Sequence, residues 1–166
     1  MKALSIDVIN GHAPYKVLVR EDRPNVFYFI SDYEIEYQIS LKQDFSIVPS
    51  GAFSLDIVNA SGKPSPSDSK FRDTLIAIIV EFFEVNNDVM LYITETGDEK
   101  QSFRNRLFVR WFNTYEHRDR YFILTAEGKL EGQNNFMAIV SRKDNPRLPL
   151  AIEEFEETVA LLFGEE

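Results

Sequence analysis

Alternation of apolar and polar residues indicates β-strands through the first third of the chain. Tyr33–Ile39 alternates strictly, and a period of two places alternate side chains on one covered face. Similar patterns predict strands at 5–9, 15–20, 26–30, 45–48 and 53–58. Asn10-Gly11 favours a type I′ hairpin turn between the first two, because both residues tolerate positive φ. We therefore expect an antiparallel meander, with a second turn at 22–25.

A helical period replaces the alternation after a loop of turn-forming residues at 59–67. Apolar residues recur at 71, 75, 76, 78, 79, 82 and 83, which makes a wide apolar stripe. Ser65 is the predicted N-cap, with Pro66 at the first helical position and Asp68 at the third. Asn86-Asn87 is the predicted end. We expect this helix to lie flat on the sheet.

The continuous apolar run Val89–Thr94 predicts a central strand that is covered on both faces. Thr96–Glu99 then fits a capping box that starts a second helix. One side of that helix carries its apolar residues: Phe103, Leu107, Phe108, Trp111, Phe112 and Tyr115. Their helical spacing is typical of core packing, and a ligand pocket or stacking platform is the alternative.

Two strands and a helix complete the pattern. Strands are predicted at 119–124 and 136–140, joined by a polar loop at 126–135 that is long for a hairpin. Asn145–Pro149 leads into a last amphipathic helix, whose inner side carries Ile152, Phe155, Val159, Leu162 and Phe163. This order predicts a single α+β domain over 1–166, with two layers and two or three helices on a mainly antiparallel sheet.

Composition supports a packed domain and narrows its surroundings. The chain has 166 residues, of which 44% are apolar and 13% aromatic, enough for one core. The absence of cysteine excludes disulfides and thiolate metal sites. Because no apolar run approaches the ~20 residues that span a bilayer, and the N-terminus lacks a signal-peptide apolar region, we expect a cytoplasmic protein without membrane contact.

Charge is strongly acidic overall but unevenly distributed. The net charge of −9 does not steer the protein towards nucleic acid. Residues 98–120 nevertheless hold six Lys and Arg against four acidic residues, while 153–166 hold six Glu and no base. The basic segment is therefore the main candidate contact surface.

The basic helix at 100–110 is the best candidate binding site. Lys100 and Arg104 are four residues apart, as are Arg106 and Arg110, and arginine side chains suit phosphate or carboxylate groups. A helix start after Gly97 would also expose free N–H groups. The candidate binding residues are Asp98, Lys100, Arg104, Arg106 and Arg110, with Arg118 and Arg120 adjoining them. The alternative is a solvated helix face whose surface ion pairs contribute ~0–1 kcal/mol each.

Catalytic motifs are scarce, so we predict no catalytic residue, cofactor or metal. The chain has no Gly-rich phosphate loop, no Gly-x-Ser-x-Gly elbow and no His-Glu-x-x-His. His117 and Asp119 could face the same way on a strand, but two ligands are too few for a site. A hydrolase that uses Asp88, Glu95 and Asp98 is left open, because such chemistry needs two carboxylates in one cleft.

Three segments together resemble a known group of proteins. They are Phe71-x-x-Thr74-x-Ile76-x-x-Ile79-x-x-Phe82-Phe83, then Leu91-Tyr-Ile93, then Asp98-x-Lys100-Gln101-x-x-Arg104-x-Arg106-Leu-Phe108-x-x-Trp111-Phe112. The pattern resembles uncharacterised bacterial domain-of-unknown-function families and covers about 70–112. It departs from them at Thr94-Glu95, where a polar or acidic turn start is expected. The resemblance implies architecture and a small cytoplasmic bacterial protein, but no catalytic residue.

These observations favour a non-enzymatic binding or regulatory module. Its expected partner is another protein or an anionic ligand, contacted through the basic helix. A nucleic-acid-associated protein using the same helix is the first alternative, and the acidic hydrolase is the second. The 14 Phe and an unpaired sheet edge would also allow a homodimer.

Overall fold

The computed structural model describes residues 1–95 and 108–164. It contains a seven-stranded sheet in the order β1-β2-β3-β4-β5-β7-β6. The strands are β1 (Leu18–Arg20), β2 (Arg23–Ile30), β3 (Glu36–Asp44), β4 (Ala52–Asn59), β5 (Met90–Glu95), β6 (Tyr121–Leu130) and β7 (Gln133–Arg142). The described helices are α1 (Ile6–His12), α2 (Ser69–Val85), a segment at 108–114 that we call α3, and α4 (Leu148–Phe163), with a 3₁₀ turn at Arg118–Arg120.

The predicted α+β class with a mainly antiparallel sheet is confirmed. Strands β4 and β5 run parallel, whereas β1–β2, β2–β3, β5–β7 and β6–β7 are antiparallel pairs. The described residues hold four helical segments, where two or three were predicted. The extra one is α1, in a segment that was predicted as a strand.

The chain divides into two compact units. The first comprises Met1–Lys42 and Leu55–Asn87, and the second comprises Gln43–Ser54 and Asp88–Glu166. By residue range, β4 therefore contributes to both units. The single domain expected from the sequence stays a prediction.

In the first unit, α2 covers one face of β2 and β3. Phe29 and Tyr37 pair across the two strands, and the Phe71 ring lies 5.9 Å and 4.5 Å from their ring centroids. Phe82 and Phe83 at the far end of α2 are fully buried. This agrees with the prediction that the apolar stripe lies against the sheet.

The start of α2 differs from the prediction by three residues. Asp68 is the N-cap and its carboxylate accepts from the Lys70 N–H. Ser65, the predicted cap, instead accepts hydrogen bonds from the side chains of Tyr37 and Asn59. A cap is set by which side chain reaches the free N–H groups, and here the tertiary contacts of Ser65 decide against it. The predicted end at Asn86 is confirmed.

The prediction of a strand at 5–9 followed by an Asn10-Gly11 hairpin turn is wrong. Ser5 caps α1 by accepting from the Val8 N–H, and its own N–H donates to the buried Glu81 carboxylate at 2.7 Å. The Asn10 side chain bonds both backbone groups of Val17. Both backbone groups of Ile9, which a hairpin would pair across the turn, instead bond Ser5 and Ala13 within the helix and its cap.

In the second unit, β5 is covered on both faces, as predicted. Leu91 lies in a core with α4, where Ala151 and Phe155 are fully buried, and the predicted inner side of α4 packs around them. Tyr92 points to the opposite face, where its ring stacks on Phe108 of α3 at 4.4 Å. Strand β5 also lies in the interior of the strand order, between β4 and β7.

The long loop predicted at 126–135 is a two-residue turn. Strands β6 and β7 pair without interruption from Tyr121↔Arg142 to Leu130↔Gln133. Glu131 and Gly132 have φ values of 53° and 81°, which suits the type I′ turns of two-residue hairpins. Most polar residues of the predicted loop, among them Glu127, Lys129 and Asn134, are exposed on the ribbon, whereas Asn135 is buried. Strand β6 also begins at 121 rather than 119, because the 3₁₀ turn precedes it.

The predicted strand at 45–48 is also wrong. Ile47 and Val48 are buried in the core of the second unit without belonging to a strand. The Asp44 carboxylate accepts from the Ser46 N–H and hydroxyl, which turns the chain locally. The Thr158 hydroxyl then donates to the Ile47 carbonyl at 2.7 Å, so α4 satisfies a backbone group that a neighbouring strand would otherwise pair.

Candidate functional site

Aromatic contacts hold α3 on the sheet. Phe108 is 3% exposed and stacks on Tyr92 with an interplanar angle of 16°. Phe112 contacts Phe108 at 5.4 Å and meets Tyr121 edge-on at 6.3 Å. The core role predicted for this side of the helix is confirmed at these positions, while Phe103 and Leu107 lie outside the described residues.

A surface depression of about 550 Å³ lies where α3 meets β6 and β7. Its lining consists of Val109, Arg110, Asn113, Thr125, Ala126, Glu127 and Phe136. Val109, Ala126 and the buried Phe136 supply apolar area, and the other four carry polar or charged groups. Such a mixture is typical of sites that bind by apolar contact and orient the ligand by a few polar groups.

Two opposite charges share this depression without pairing in the described part of the chain. The guanidinium of Arg110 and the carboxylate of Glu127 are exposed, and neither makes a hydrogen bond or ion pair with the described residues. Arg110 offers planar donors that match a carboxylate or phosphate, and Glu127 can accept from an ammonium or guanidinium. Asn113 and Thr125 add neutral donors and acceptors. The arrangement can therefore hold a group of either sign.

The remaining candidate residues are placed differently. Asp98, Lys100, Arg104 and Arg106 lie outside the described residues. Arg118 and Arg120 are exposed in the 3₁₀ turn before β6, and they are not among the residues that line the depression. Of the candidates that the structure describes, Arg110 alone lies there.

Asn113, Thr125 and Glu127 are site residues that the sequence does not predict. Thr125 follows a predicted strand, and Glu127 lies in the predicted loop. The signal that was available is the alternation of Thr125, Glu127 and Lys129, which places three polar side chains on one face of a strand. Asn113 carries no comparable signal, because a lone Asn on a helix surface is common.

The premise of the His117–Asp119 metal pair is wrong. These residues belong to the turn region ahead of β6, where the period of two does not apply. Over 1–95 and 108–164, no cluster of three or more His, Asp or Glu side chains is placed to hold a metal ion. His12, the other histidine, ends α1 and is exposed.

Asp88 has a structural role in the second unit. Its carboxylate pairs with Arg147 at 2.8 Å, and Arg147 also donates to the carbonyl and hydroxyl of Ser50. Asp88 precedes β5 and Glu95 ends it, so β5 alone separates their backbones by about 16 Å at ~3.3 Å per residue. The Glu95 side chain and Asp98 lie outside the described residues, so the acidic site stays a prediction.

The first unit contains a separate polar cluster at the start of α2. The Tyr15 hydroxyl donates to the Asp68 carboxylate at 2.7 Å and accepts from the Asp32 N–H at 3.2 Å. Lys70 pairs with Asp32 at 2.8 Å and lies over the Tyr15 ring. Burial raises the pKa of Tyr15 to about 12, with a further contribution from Asp68, and the Asp32 hydrogen bond raises the pKa of Lys70. Because all four groups are mutually satisfied, the cluster fastens the chain rather than offering a site.

The fold and the site together define an α+β protein with a mixed-charge surface depression between a helix and a sheet. A family model described as "Family of unknown function (DUF6169)" matches residues 67–157, more than half of the chain. The chain therefore belongs to this family, which confirms the resemblance seen at about 70–112. No curated protein and no solved structure matches the chain. No described helix is both long and apolar enough to span a membrane.

Proposed function

We propose that this protein is a non-enzymatic binding module of the cytoplasm that holds a charged segment of another protein, or a small anionic ligand, in the depression between α3 and β6. The observation that carries the proposal is the Arg110 guanidinium, which is unpaired within the described residues and lies beside apolar area. If Arg110 had an ion-pair partner among these residues, that partner would account for its charge and no ligand would be needed.

The basic segment around Arg110 supports the same proposal. Lys100, Arg104 and Arg106 precede it in sequence by four to ten residues, and Arg118 and Arg120 follow. We propose that the basic residues of this segment contribute to the binding of acidic groups. In a protein of net charge −9, a basic segment of this kind would favour acidic groups without a general attraction to polyanions.

The test compares Arg110→Glu with Arg72→Glu, which makes the same charge change on α2, at a half-buried arginine that pairs with the neighbouring Asp73. Tagged parent and variants are each incubated with native lysate, and bound protein and small molecules are quantified. We expect Arg110→Glu to lose the bound species by about tenfold to a hundredfold, since a hydrogen bond to a charged group contributes ~1.5–3 kcal/mol. Arg72→Glu should retain it.

Two results would count against the proposal. One is an eluate from Arg110→Glu identical to that of the parent. The other is equal loss in both variants, which would indicate an effect of net charge alone. Either result would leave the α3 surface as ordinary solvated helix. Circular dichroism of both variants shows whether the fold is intact.

Nucleic-acid binding through the same surface is the alternative that the experiment must separate. Glu116, Asp119 and Glu127 lie among the described basic residues, so the local charge is mixed. Nucleic-acid binding predicts an affinity that falls steeply with salt, roughly in proportion to the number of phosphates contacted. Titration with labelled DNA and RNA at ~50 mM salt, where electrostatic contacts are strong, would detect it.

A further inference from the structure

Strand β6 forms a long sheet edge within the described residues. It is the last strand in the order and pairs with β7 over ten consecutive residue pairs without a register shift. The opposite edge, β1, has three residues and a register shift beside Arg20. Short and irregular edges resist pairing with other chains, whereas long and regular ones invite it. The two edges of the sheet are thus built differently.

The hydrogen-bond pattern shows which β6 groups face outward. The Lys143 N–H donates to the Arg120 carbonyl at 2.9 Å, which makes 120 and 143 a hydrogen-bonded pair. Such pairs alternate along an antiparallel ladder, so even-numbered β6 residues bond to β7. The Phe53 N–H donates to the Val89 carbonyl, so odd-numbered β5 residues bond to β4 and even-numbered ones bond to β7. Even-numbered β7 residues therefore bond to β5, which leaves the odd-numbered β7 residues to bond the even-numbered β6 residues. The backbone groups of Ile123, Thr125, Glu127 and Lys129 therefore point away from β7.

We infer that this edge pairs with the β6 edge of a second copy of the chain, antiparallel, about a two-fold axis at Thr125. The proposal goes beyond the proposed function, since it concerns self-association and needs no ligand. A two-fold axis at Thr125 pairs the outward groups of Ile123 with those of Glu127 in the second copy, and Thr125 with itself. This register overlaps Tyr121–Lys129, nine of the ten residues of β6.

Charge and side-chain size favour this register. Glu127 faces Ile123 of the second copy and Lys129 faces its Tyr121, so within the paired strands no like charges are directly opposed. An axis at Glu127 would instead oppose two carboxylates, which destabilises a strand pair. On the other sheet face the same register places Phe122 opposite Gly128 and Leu124 opposite Ala126, in each case a large side chain opposite a small one.

The pairing would also bring a second chain beside the depression. Thr125 and Glu127 line the depression and lie on the edge strand. A second copy paired there adds its own strand along that side, including its Lys129. The dimer would then present two depressions related by the two-fold axis.

The experiment uses opposite charges at Thr125, which is exposed and would face itself. The masses of the parent, Thr125→Lys, Thr125→Glu and the control Thr125→Ala are measured by sedimentation without ligand, from about 1 μM to about 500 μM. We expect the parent and the control to dimerise. Each charged variant alone should dissociate about tenfold more readily or worse, because like charges are directly opposed. Mixing the two charged variants should restore the dimer.

Several outcomes overturn the inference. They are a parent that stays monomeric at every concentration, charged variants that dimerise as well as the parent, and a mixture that fails to restore the dimer. Ligand capture by Arg110 is scored separately, so failure here does not count against the binding function, and the converse also holds.

A second measurement covers the case in which a charged variant folds poorly. The natural chain has no cysteine, so Thr125→Cys introduces a single thiol. A short bis-maleimide should link two Thr125→Cys chains efficiently and should not link chains carrying Ser67→Cys, an exposed control in the first unit. Equal linking of the two variants would contradict the proposed register.

Discussion

Tyr15 shows how one residue can depend on distant parts of the chain. It is 5% exposed, its N–H donates to the Thr74 hydroxyl, and its own hydroxyl bonds groups of Asp32 and Asp68. Its ring stacks on Phe29 at 5.9 Å. The residue was predicted only as the start of a strand, because nothing local in the sequence marks its hydroxyl as buried. Its neighbours come from sequence positions 14 to 59 residues away.

Raising the pH should destabilise the protein through Tyr15. Its pKa is raised from 10.0 to about 12 in the folded state, so the neutral phenol stabilises the fold below pH 10, and this stability is lost as the pH rises through 12. Urea unfolding between pH 9 and pH 12 measures the slope. Tyr15→Phe should lower stability at neutral pH by ~0.5–1.5 kcal/mol and flatten the slope. Tyr33→Phe, at a tyrosine that is 52% exposed, should leave both the stability and its dependence on pH unchanged. A parent slope equal to that of Tyr15→Phe would contradict the assignment.

At the scale of elements, the strongest periodic patterns gave the correct structure. The stripe of α2, the apolar run of β5 and the inner side of α4 all appear as predicted. Each of these elements buries a large apolar face, and burial is what a periodic pattern records. Elements with few buried residues were misread: α1 as a strand, and the outer half of the β6–β7 hairpin as a loop.

The packing of α4 on β6 depends on the absence of a side chain at Gly128. A Cβ there would overlap the Phe163 ring. Gly128→Ala should therefore lower the free energy of unfolding by ~1–3 kcal/mol through overpacking. Gly11→Ala is the matched control, because the space around Gly11 in α1 is open, and alanine in a helix is favoured there by ~0.5–1 kcal/mol.

A double-mutant cycle assigns that cost to one contact. In the Phe163→Ala background, Gly128→Ala should cost much less, because the overlapping ring is absent. Chemical denaturation of the four proteins gives the coupling free energy. An undiminished cost in that background would mean that the backbone conformation of Gly128, rather than Phe163, is responsible.

At the scale of the whole molecule, cooperativity tests the expected single domain. Tyr15 belongs to the first compact unit and Gly128 to the second. If the chain unfolds as one domain, both Tyr15→Phe and Gly128→Ala should shift a single calorimetric transition, with equal calorimetric and van't Hoff enthalpies. Two transitions, each moved by only one of the substitutions, would show that the units unfold independently.

The site could be predicted only in part, for a physical reason. Arg110 was a candidate because a basic helix is visible in sequence, but its neighbours Thr125 and Glu127 come from a strand beyond the 3₁₀ turn. A depression forms where separate elements meet, and sequence spacing does not report that meeting. The same limit applies to the β6 edge. Which of its backbone N–H and C=O groups point outward is decided by the alternation of hydrogen bonds with β7, and the sequence does not show that alternation.

The sequence by itself determined the α+β class, the central position of β5, the inner faces of α2 and α4 and the family resemblance, because periodic burial and composition are local properties. Tertiary structure decided the rest. Glu81 reaches Ser5 across 76 residues and fixes α1, and the Tyr37 hydroxyl bonds Ser65, which does not cap α2. Such choices depend on which distant polar group satisfies a backbone or hydroxyl group, and only the folded chain brings those groups within reach.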